Sequence, residues 1–550
     1  MPTGGMFANY SPGAKIFSSP AAPPLALPSR AAASWEQHAA SACLPLPSHT
    51  STIQHFTTHF TMSYTTLPRR SFIKSLLAAG AFPFVASSVP ALFGAPAKKA
   101  KAPGQKVRVA CIGIGNQGAG DVGQFDRSGL AEIVALCDTE LKDPQGSKRI
   151  QGVLRKHPKA ARFSDFRELF DKAGKTFDAV LIATPDFSHF PAAILAMSQG
   201  KHVYVEKPVA HTFDQVELLL AAEKKYKVVT QMGNQGHSGA NYFQFREWAG
   251  AGIIKNITRI NAHMNSSRRW HWSIKPRWRN LDGFLPKKEI PAWLDWNAWL
   301  ATATEHDFNP GYLAGEWRSW FDFGNGAIGD WGAHIFDTAH EFLNLGLPTE
   351  VVPLKLEGAN PFVFPQASTL QFKFAARGKD QPALDLFWFD GQKNIPPLPS
   401  GGGAIEVDAS IPTSGGGSNK KDTKAPSPGK EIYSADGLVF QGGSHASTLK
   451  ILDKEKAAAL KLPPVPKSPS DHYSNFLLSV LGKEKPRSPF SVSGPLCQMM
   501  ALGIIAQRVG KVGEKISFDA KTKRITNNKV ADELLTHKAP RTGWEQFYTL

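Results

Sequence analysis

The sequence predicts an α/β chain that opens with a doubly wound parallel sheet, and three observations carry that expectation. A β-rich run at residues 106–112 feeds directly into the glycine turn Gly113-Ile114-Gly115-Asn116-Gln117-Gly118 and then into a helical stretch. A second apolar run, 133–137, ends in Asp138, about twenty residues beyond the last glycine. Further apolar runs at 177–183 and 201–205 then alternate with helical stretches at 190–199 and 212–225. Such alternation builds a parallel sheet covered by helices on both faces.

The chain's 550 residues exceed what one core encloses, so two domains, 105–230 and 231–550, are expected together with appendages. Hydrophobic residues at 42% and charged residues at 20% describe a folded chain and exclude both wholesale disorder and an integral membrane protein. A net charge of +17 would suit nucleic acid, but the basic residues are scattered and no nucleic-acid motif is present, so no such partner is expected. Cys43, Cys111, Cys137 and Cys497 lack metal-ligand spacing and read as small buried hydrophobes.

Residues 1–61 are rich in Pro, Ser, Ala and Thr without apolar periodicity, and are expected to be disordered or untranslated, with Met62 as the start. Residues 62–97 then read as a twin-arginine export signal: Arg69-Arg70-Ser71-Phe72-Ile73-Lys74, followed by an Ala-rich apolar run to about Phe93. Gly80, Pro83 and Pro90 interrupt that run and speak against a membrane anchor. The expectation is a periplasmic or secreted protein passed through the twin-arginine machinery, with no stable membrane span after processing.

In the glycine turn, Gly113 permits the tight bend, Gly115 lets a pyrophosphate approach the backbone, and Gly118 allows close helix packing. Asn116 and Gln117 complete the turn, and the helix N-terminus behind it favours phosphate charge. Asp138 stands where a ribose 2′-hydroxyl is bound, which favours NAD over NADP; alternatively it caps its own turn. Export in the folded state implies a tightly held dinucleotide. Ligands of doubly wound sheets bind at the carboxyl ends of strands, where Thr184, Pro185, Glu206, Lys207 and Pro208 fall.

Three motifs in order carry a resemblance. Glu206-Lys207-Pro208 follows a strand, Ala183-Thr184-Pro185-Asp186-Phe187-Ser188-His189 precedes it, and Gly324-Asn325-Gly326 leads into Asp330-Trp331-Gly332-Ala333-His334. With Arg541-Thr542-Gly543-Trp544 near the end, the chain from about 105 to 550 resembles the glucose-fructose oxidoreductase, inositol dehydrogenase and rhizopine-catabolism (Gfo/Idh/MocA) family. The resemblance implies a Rossmann domain followed by an α/β domain with a large, open, mainly antiparallel sheet. It further implies an NAD(P)-dependent oxidoreductase for a sugar, sugar derivative or cyclitol, no metal, and a homo-oligomer. His189 and Gln235 lie near the nicotinamide by this resemblance and are satisfied polar residues otherwise. Asn325 in the glycine-rich turn departs from the family pattern, as does a Gly, Ser, Pro and Lys-rich insertion at about 398–430.

Asp330 and His334 are four apart, so on a helix they share a face and the carboxylate can orient the imidazole. That makes His334 a general base, with Lys207 stabilising the substrate oxygen and Glu206 orienting backbone or cofactor. Taken alone, Asp-x-x-x-His is more often a salt bridge or helix cap, and Lys207 more often a solvated strand-end lysine; the two upstream motifs reverse that reading. Asp337 and His340 extend the spacing toward a metal site, which a polar helix face also explains. Between Trp270 and Trp331, indoles alternate with Arg268, Arg269, Arg277, Arg279 and Arg318. Trp293, Trp296 and Trp299 have the spacing of a packed helix face, and Trp317 with Arg318 are the expected substrate-lining pair. Three functions fit: a sugar dehydrogenase, an NAD-dependent glycoside hydrolase working by transient oxidation and elimination, and a non-catalytic sugar or dinucleotide binder.

Overall fold

Six short strands, the later five each fed by a helix, make the first sheet: Val107–Ile112 (β1), Ala131–Cys137 (β2), Ala161–Phe163 (β3), Ala179–Ile182 (β4), His202–Val205 (β5) and Thr230–Met232 (β6). They are all parallel, in the order β3-β2-β1-β4-β5-β6. The strand order reverses between β1 and β4, the place where such sheets open a crevice for ligands. The computed structural model describes residues 105–142, 148–264, 281, 283–313, 315–391, 394–397, 399, 427–445 and 447–549. The expectations for 1–61, for the export signal at 62–97, for Cys43, for Arg268, Arg269, Trp270, Arg277 and Arg279, and for most of 398–430 lie outside the described residues.

Helices Asn116–Arg127 (α1), Lys148–Lys156 (α2), Phe166–Ala173 (α3), His189–Ser198 (α4) and Phe213–Tyr226 (α5) connect the strands, and Ala240–Gly250 (α6) leads out of the sheet. Alternate side chains of β1 serve opposite faces, as the two-residue period of a strand requires. Val107, Val109 and Cys111 pack with Val122 and Phe125 of α1, whereas Ala110 and Ile112 pack with Leu169 and Phe170 of α3. Both faces are therefore apolar, and the strands read as continuous hydrophobic runs. Cys111, Cys137 and Cys497 are buried and unpaired, as expected of small hydrophobes.

The second sheet has nine strands: Ile257–Met264 (β7), Glu350–Glu357 (β8), Ala367–Phe374 (β9), Leu384–Gly391 (β10), Gly429–Ser434 (β11), Val439–Gly443 (β12), Lys450–Ile451 (β13), Ile516–Asp519 (β14) and Arg524–Ile525 (β15). Its order is β13-β12-β11-β7-β10-β9-β8-β14-β15, antiparallel except for the β7–β10 pair. In β10, Leu384, Leu386 and Trp388 are buried, while Asp385, Phe387 and Phe389 on the other face are partly exposed. One face thus belongs to the core.

Two late helices join the sheets. His472–Val480 (α7) returns to the first sheet, where Tyr473, Phe476 and Leu477 complete the apolar cluster beside α1. Phe490–Val509 (α8) is long and apolar, and it is buried between α5 and the second sheet. Its small residues permit that approach. A Cβ at Gly494 would stand 2.9 Å from Leu220 of α5, and one at Gly503 would stand 2.7 Å from Phe372 and 2.8 Å from Ile328. Ile328 opens the turn that carries Asp330, so α8 fixes that turn against the first sheet. Trp296 and Trp299 stack at 4.6 Å inside the core, as their spacing predicts.

Candidate active site

The glycine turn leaves β1 with Gly113 at φ +81°, where a Cβ would stand 2.6 Å from the Ala183 carbonyl at the end of β4. A Cβ at Gly118 would collide with the Gly113 carbonyl oxygen. Protein packing therefore demands both glycines. Gly115 differs: nothing lies closer to its missing Cβ than Ile150 at 3.7 Å, so the protein itself leaves room at the N-cap of α1. Asn116 follows with φ +34°. Asp138, at the end of β2, accepts from the Ile114 N–H at 2.9 Å and the Glu140 N–H at 3.1 Å. It caps its own turn and braces the glycine loop together. Enclosure raises its carboxyl above the ordinary value while backbone donors from Ile114, Glu140 and Gly115 oppose the rise.

Behind the turn lies a buried polar network that the sequence did not announce. Gln117 donates to Asp121 at 2.9 Å, Tyr473 of α7 donates to the same oxygen at 2.8 Å, and Gln235 donates to Glu206 at 2.9 Å and to the Tyr473 hydroxyl at 3.2 Å. Burial pushes the Asp121 carboxyl up to about 7 against the pull of Tyr473 and Gln117. Glu206 is driven well above the carboxylate range by burial and by Asp121. Gln117, Glu206 and Gln235 thus shape the floor of the crevice through one another. His189 is 1% exposed, with Nδ1 2.7 Å from the Pro208 carbonyl and Nε2 2.8 Å from the Thr184 carbonyl. Burial depresses its pKa to about 4, and the neutral ring has a single N–H to donate to one of these two carbonyls, which lie just beyond the ends of β4 and β5. The Thr184 hydroxyl oxygen is buried without a partner at the same strand end, next to Pro185.

Lys207, at the end of β5, donates to Asp330 at 2.5 Å across 123 residues of sequence. Arg318 lies 3.6 Å from the same carboxylate oxygen. Asp330 sits in a π-helical turn, Ile328–Gly332, which continues into the short helix bearing His334. The expectation that Asp330 orients His334 is corrected here: two permanent cations claim the carboxylate, and a buried neutral imidazole cannot compete for it. His334 instead lies flat on His445, ring centroids 3.9 Å apart and planes at 16°, and its Nδ1 is buried without a hydrogen bond. Burial, then the charges of His445, Lys207 and His472, hold its pKa well below the usual histidine value. A second correction concerns Trp317. It is 8% exposed and packed in the core, with the Arg318 guanidinium 4.1 Å over its ring. Trp317 supports Arg318, and Arg318 is the member of the pair that reaches the site.

Asp186 also belongs here, 4% exposed, accepting from the Asn325 N–H at 3.0 Å. Burial raises its carboxyl to about 7, although Arg318 and Lys207 pull the other way. Asn325 further donates to the His211 carbonyl at 3.1 Å, so this departure in the glycine-rich turn is a fastener between the two sheets' loops. Asp337 and His340 do not converge with Asp330 and His334. Asp337 accepts from Asn234 and lies 2.7 Å from His237, while His340 Nε2 lies 2.9 Å from the Gly346 carbonyl.

Residues 107–234 match the oxidoreductase family model for the NAD-binding Rossmann fold, and residues 253–367 match the model for that family's C-terminal alpha/beta domain. Both matched stretches are thus similar to the two domains of the Gfo/Idh/MocA oxidoreductases. A glycosyl hydrolase family 109 protein of Shewanella pealeana is 37% identical over 135 residues, 23% of this chain and 28% of that relative. A second one, from Shewanella sp. strain ANA-3, is 35% identical over 180 residues, 30% of this chain and 39% of its own length. The chain therefore matches less than half the length of these relatives. Among solved structures, the WlbA dehydrogenase of Bordetella pertussis, in complex with NADH and UDP-GlcNAcA, aligns with TM-score 0.48 and 14% identity over 76% of this chain and 99% of that one.

The residues present fit the dinucleotide of a Gfo/Idh/MocA domain. The gap over Gly115, the open N-terminus of α1 and the unpartnered Thr184 hydroxyl mark one crevice along the strand ends. Asp138 retains acceptor capacity for a ribose hydroxyl beyond its backbone donors. Asp121, Asp186, His445, His472 and Tyr473 are the residues that sequence reasoning missed. Asp121 lies one turn past Gly118 and could have been suspected. Tyr473, 352 residues further on, has no spacing that would connect it.

Proposed function

We propose that this oxidoreductase is an exported, NAD-dependent enzyme that oxidises a hydroxyl group of a sugar or related polyol. The observation that carries the reading is the Lys207–Asp330 pair beside an enclosed, neutral His334 at the carboxyl ends of the first sheet. Gly113, Gly115, Gly118, Asp138 and Thr184 would hold the dinucleotide, whose nicotinamide ring supplies the hydride acceptor. A neutral imidazole can take a proton from the substrate hydroxyl. Because Nδ1 is enclosed, that proton falls to Nε2. Lys207 donates to the same oxygen and stabilises its alkoxide character, and Asp330 holds Lys207 in place. Arg318 gives the cleft a second cation for hydroxyl or carboxylate groups of the substrate.

A second reading, glycoside cleavage by transient oxidation followed by elimination, is favoured by the names of the family 109 relatives. It uses the same first step. Export as a folded holoprotein supports a dinucleotide that stays bound between turnovers, and NAD is preferred to NADP because the Asp138 carboxylate repels a 2′-phosphate.

The test is absorbance and mass analysis of the purified protein for bound NAD(H), then a panel of sugars and aryl glycosides with wild type and His334→Ala. Bound dinucleotide, with turnover lost by roughly a hundredfold or more in the variant, is expected. Net NADH formation identifies a dehydrogenase; aglycone release without net NADH identifies the hydrolase. A protein that binds no dinucleotide when it is supplied refutes both.

A further inference from the structure

An acid–base imidazole is ordinarily oriented by a hydrogen bond to its second nitrogen, from a carboxylate or a carbonyl. His334 has no such bond, since its Nδ1 is buried and unpartnered. The carboxylate in its own turn, Asp330, is committed to Lys207 and Arg318, and the next one, Asp337, to His237 and Asn234. Something else must hold the ring. The loop leaving β12 turns back toward it through Gly443, Ser444 and His445. His445 has φ +57°, a left-handed conformation that a non-glycine residue keeps only where its surroundings fix it. Here they do: a Cβ at Gly236 would stand 2.6 Å from the His445 carbonyl carbon, and the His445 N–H donates to the His334 carbonyl at 3.2 Å. The His445 ring then covers that of His334 at 3.9 Å, nearly parallel to it, and Trp331 stands edge-on to both, 6.5 Å from His334 and 5.5 Å from His445. His445 Nδ1 lies 3.0 Å from the Ser444 hydroxyl.

We propose that His445 is a positioning residue that clamps the His334 ring and keeps it in the neutral form a proton acceptor needs. Two stacked imidazoles at this distance cannot both carry a proton, because like charges in an enclosed site disfavour one another. The other groups facing His334, Lys207 from the end of β5 and His472 from the start of α7, act in the same direction, and among the described residues the neighbouring carboxylates Asp330 and Asp337 are paired with Lys207 and with His237 and Asn234. The clamp rests on reading His334 as the acid–base group, but its test does not depend on turnover.

The experiment is an NMR titration of the full-length chain with isotope-labelled histidine, the His334 signal assigned from His334→Ala. It is repeated in His445→Phe, which keeps a flat ring without charge, and in His445→Asn, which tolerates positive φ but removes the ring. In wild type His334 is expected to titrate well below the ordinary histidine range. In either variant its midpoint moves upward by about half a pH unit or more, and the acid limb of kcat/KM moves with it. A melting curve identifies a variant that fails to fold, and the other variant then gives the reading. An unchanged His334 midpoint in a folded variant overturns the clamp, even if the enzyme oxidises sugars. A shifted midpoint in a protein that oxidises nothing leaves the clamp standing and refutes the proposed activity.

Discussion

At the scale of single residues, the three glycines of the turn look alike in sequence and separate in the structure. Gly113 and Gly118 are fixed by backbone that a Cβ would strike, whereas a Cβ at Gly115 would meet only ordinary contacts, the nearest Ile150 at 3.7 Å. Gly118→Ala is therefore expected to lower stability by about 1–3 kcal/mol, the usual penalty for overpacking. Gly115→Ala should fold with little change in melting temperature and bind NAD roughly tenfold more weakly or worse, a loss of about 1.4 kcal/mol. Calorimetry of both variants with and without NAD separates the two. Equal behaviour of both alanines would show that Gly115 is a packing glycine too. The same contrast governs the catalytic candidates. Lys207, Asp330 and His334 are each identifiable from motifs, but which of them pairs with which is decided by charge: the carboxylate goes to the two cations, and the imidazole is left to its neighbour ring.

Between elements, the site turn depends on a helix that touches neither dinucleotide nor substrate. The α8 backbone approaches Ile328 and Phe372 through Gly503, so Gly503→Ala would force the turn carrying Asp330 outward or the helix away from β9. The expected outcome is a loss of about 1–3 kcal/mol in stability, accompanied by a lower kcat with the dinucleotide affinity preserved. Unchanged kcat in a destabilised variant would mean that the turn holds its geometry without α8. The periodic parts of this architecture were legible in the sequence. The runs at 106–112, 133–137, 177–183 and 201–205 became β1, β2, β4 and β5, because strands buried on both faces are written as continuous apolar stretches. The three-residue strands β3 and β6 are too short to show a period, and the second sheet came only from family resemblance. What no local pattern could supply is the return of α7 to the first sheet. Tyr473 reads as an ordinary aromatic until it is seen donating to Asp121, and His445 as a loop histidine until it lies on His334. Such contacts are set by tertiary docking, which leaves no spacing behind.

Over the whole molecule, the interface between the loop after β6 and the helix following His334 is held by a buried charge cluster with a defined pH signature. His237 is 1% exposed, with Nδ1 2.7 Å from Asp337 and Nε2 2.8 Å from Glu341. Burial alone would depress its pKa, but Asp337 and Glu341 outweigh burial and raise it to about 10. An unfolded histidine titrates near 6.5. Between those values the folded chain keeps a proton that the unfolded chain has lost. The stabilisation is therefore complete below about pH 6.5 and is lost progressively as the pH rises toward 10, with a slope approaching about 1.4 kcal/mol per pH unit. Other buried groups work elsewhere on the scale. The raised carboxyls of Asp121 and Asp186 cost stability between the unfolded carboxylate range and about 7. The Cys111 and Cys497 thiols, raised by burial, contribute only above their unfolded value near 8.5. Lys430, lowered by burial to about 8, adds stability with rising pH only beyond that point. The difference between wild type and His237→Gln from pH 7 to 8 isolates His237, because the other buried groups titrate alike in the two proteins. Denaturant unfolding across that interval should show wild-type stability falling with pH relative to His237→Gln, with the variant the less stable at pH 6. A wild-type slope that survives in His237→Gln would place the titrating group elsewhere and remove the cluster as the electrostatic lock between the two sheets.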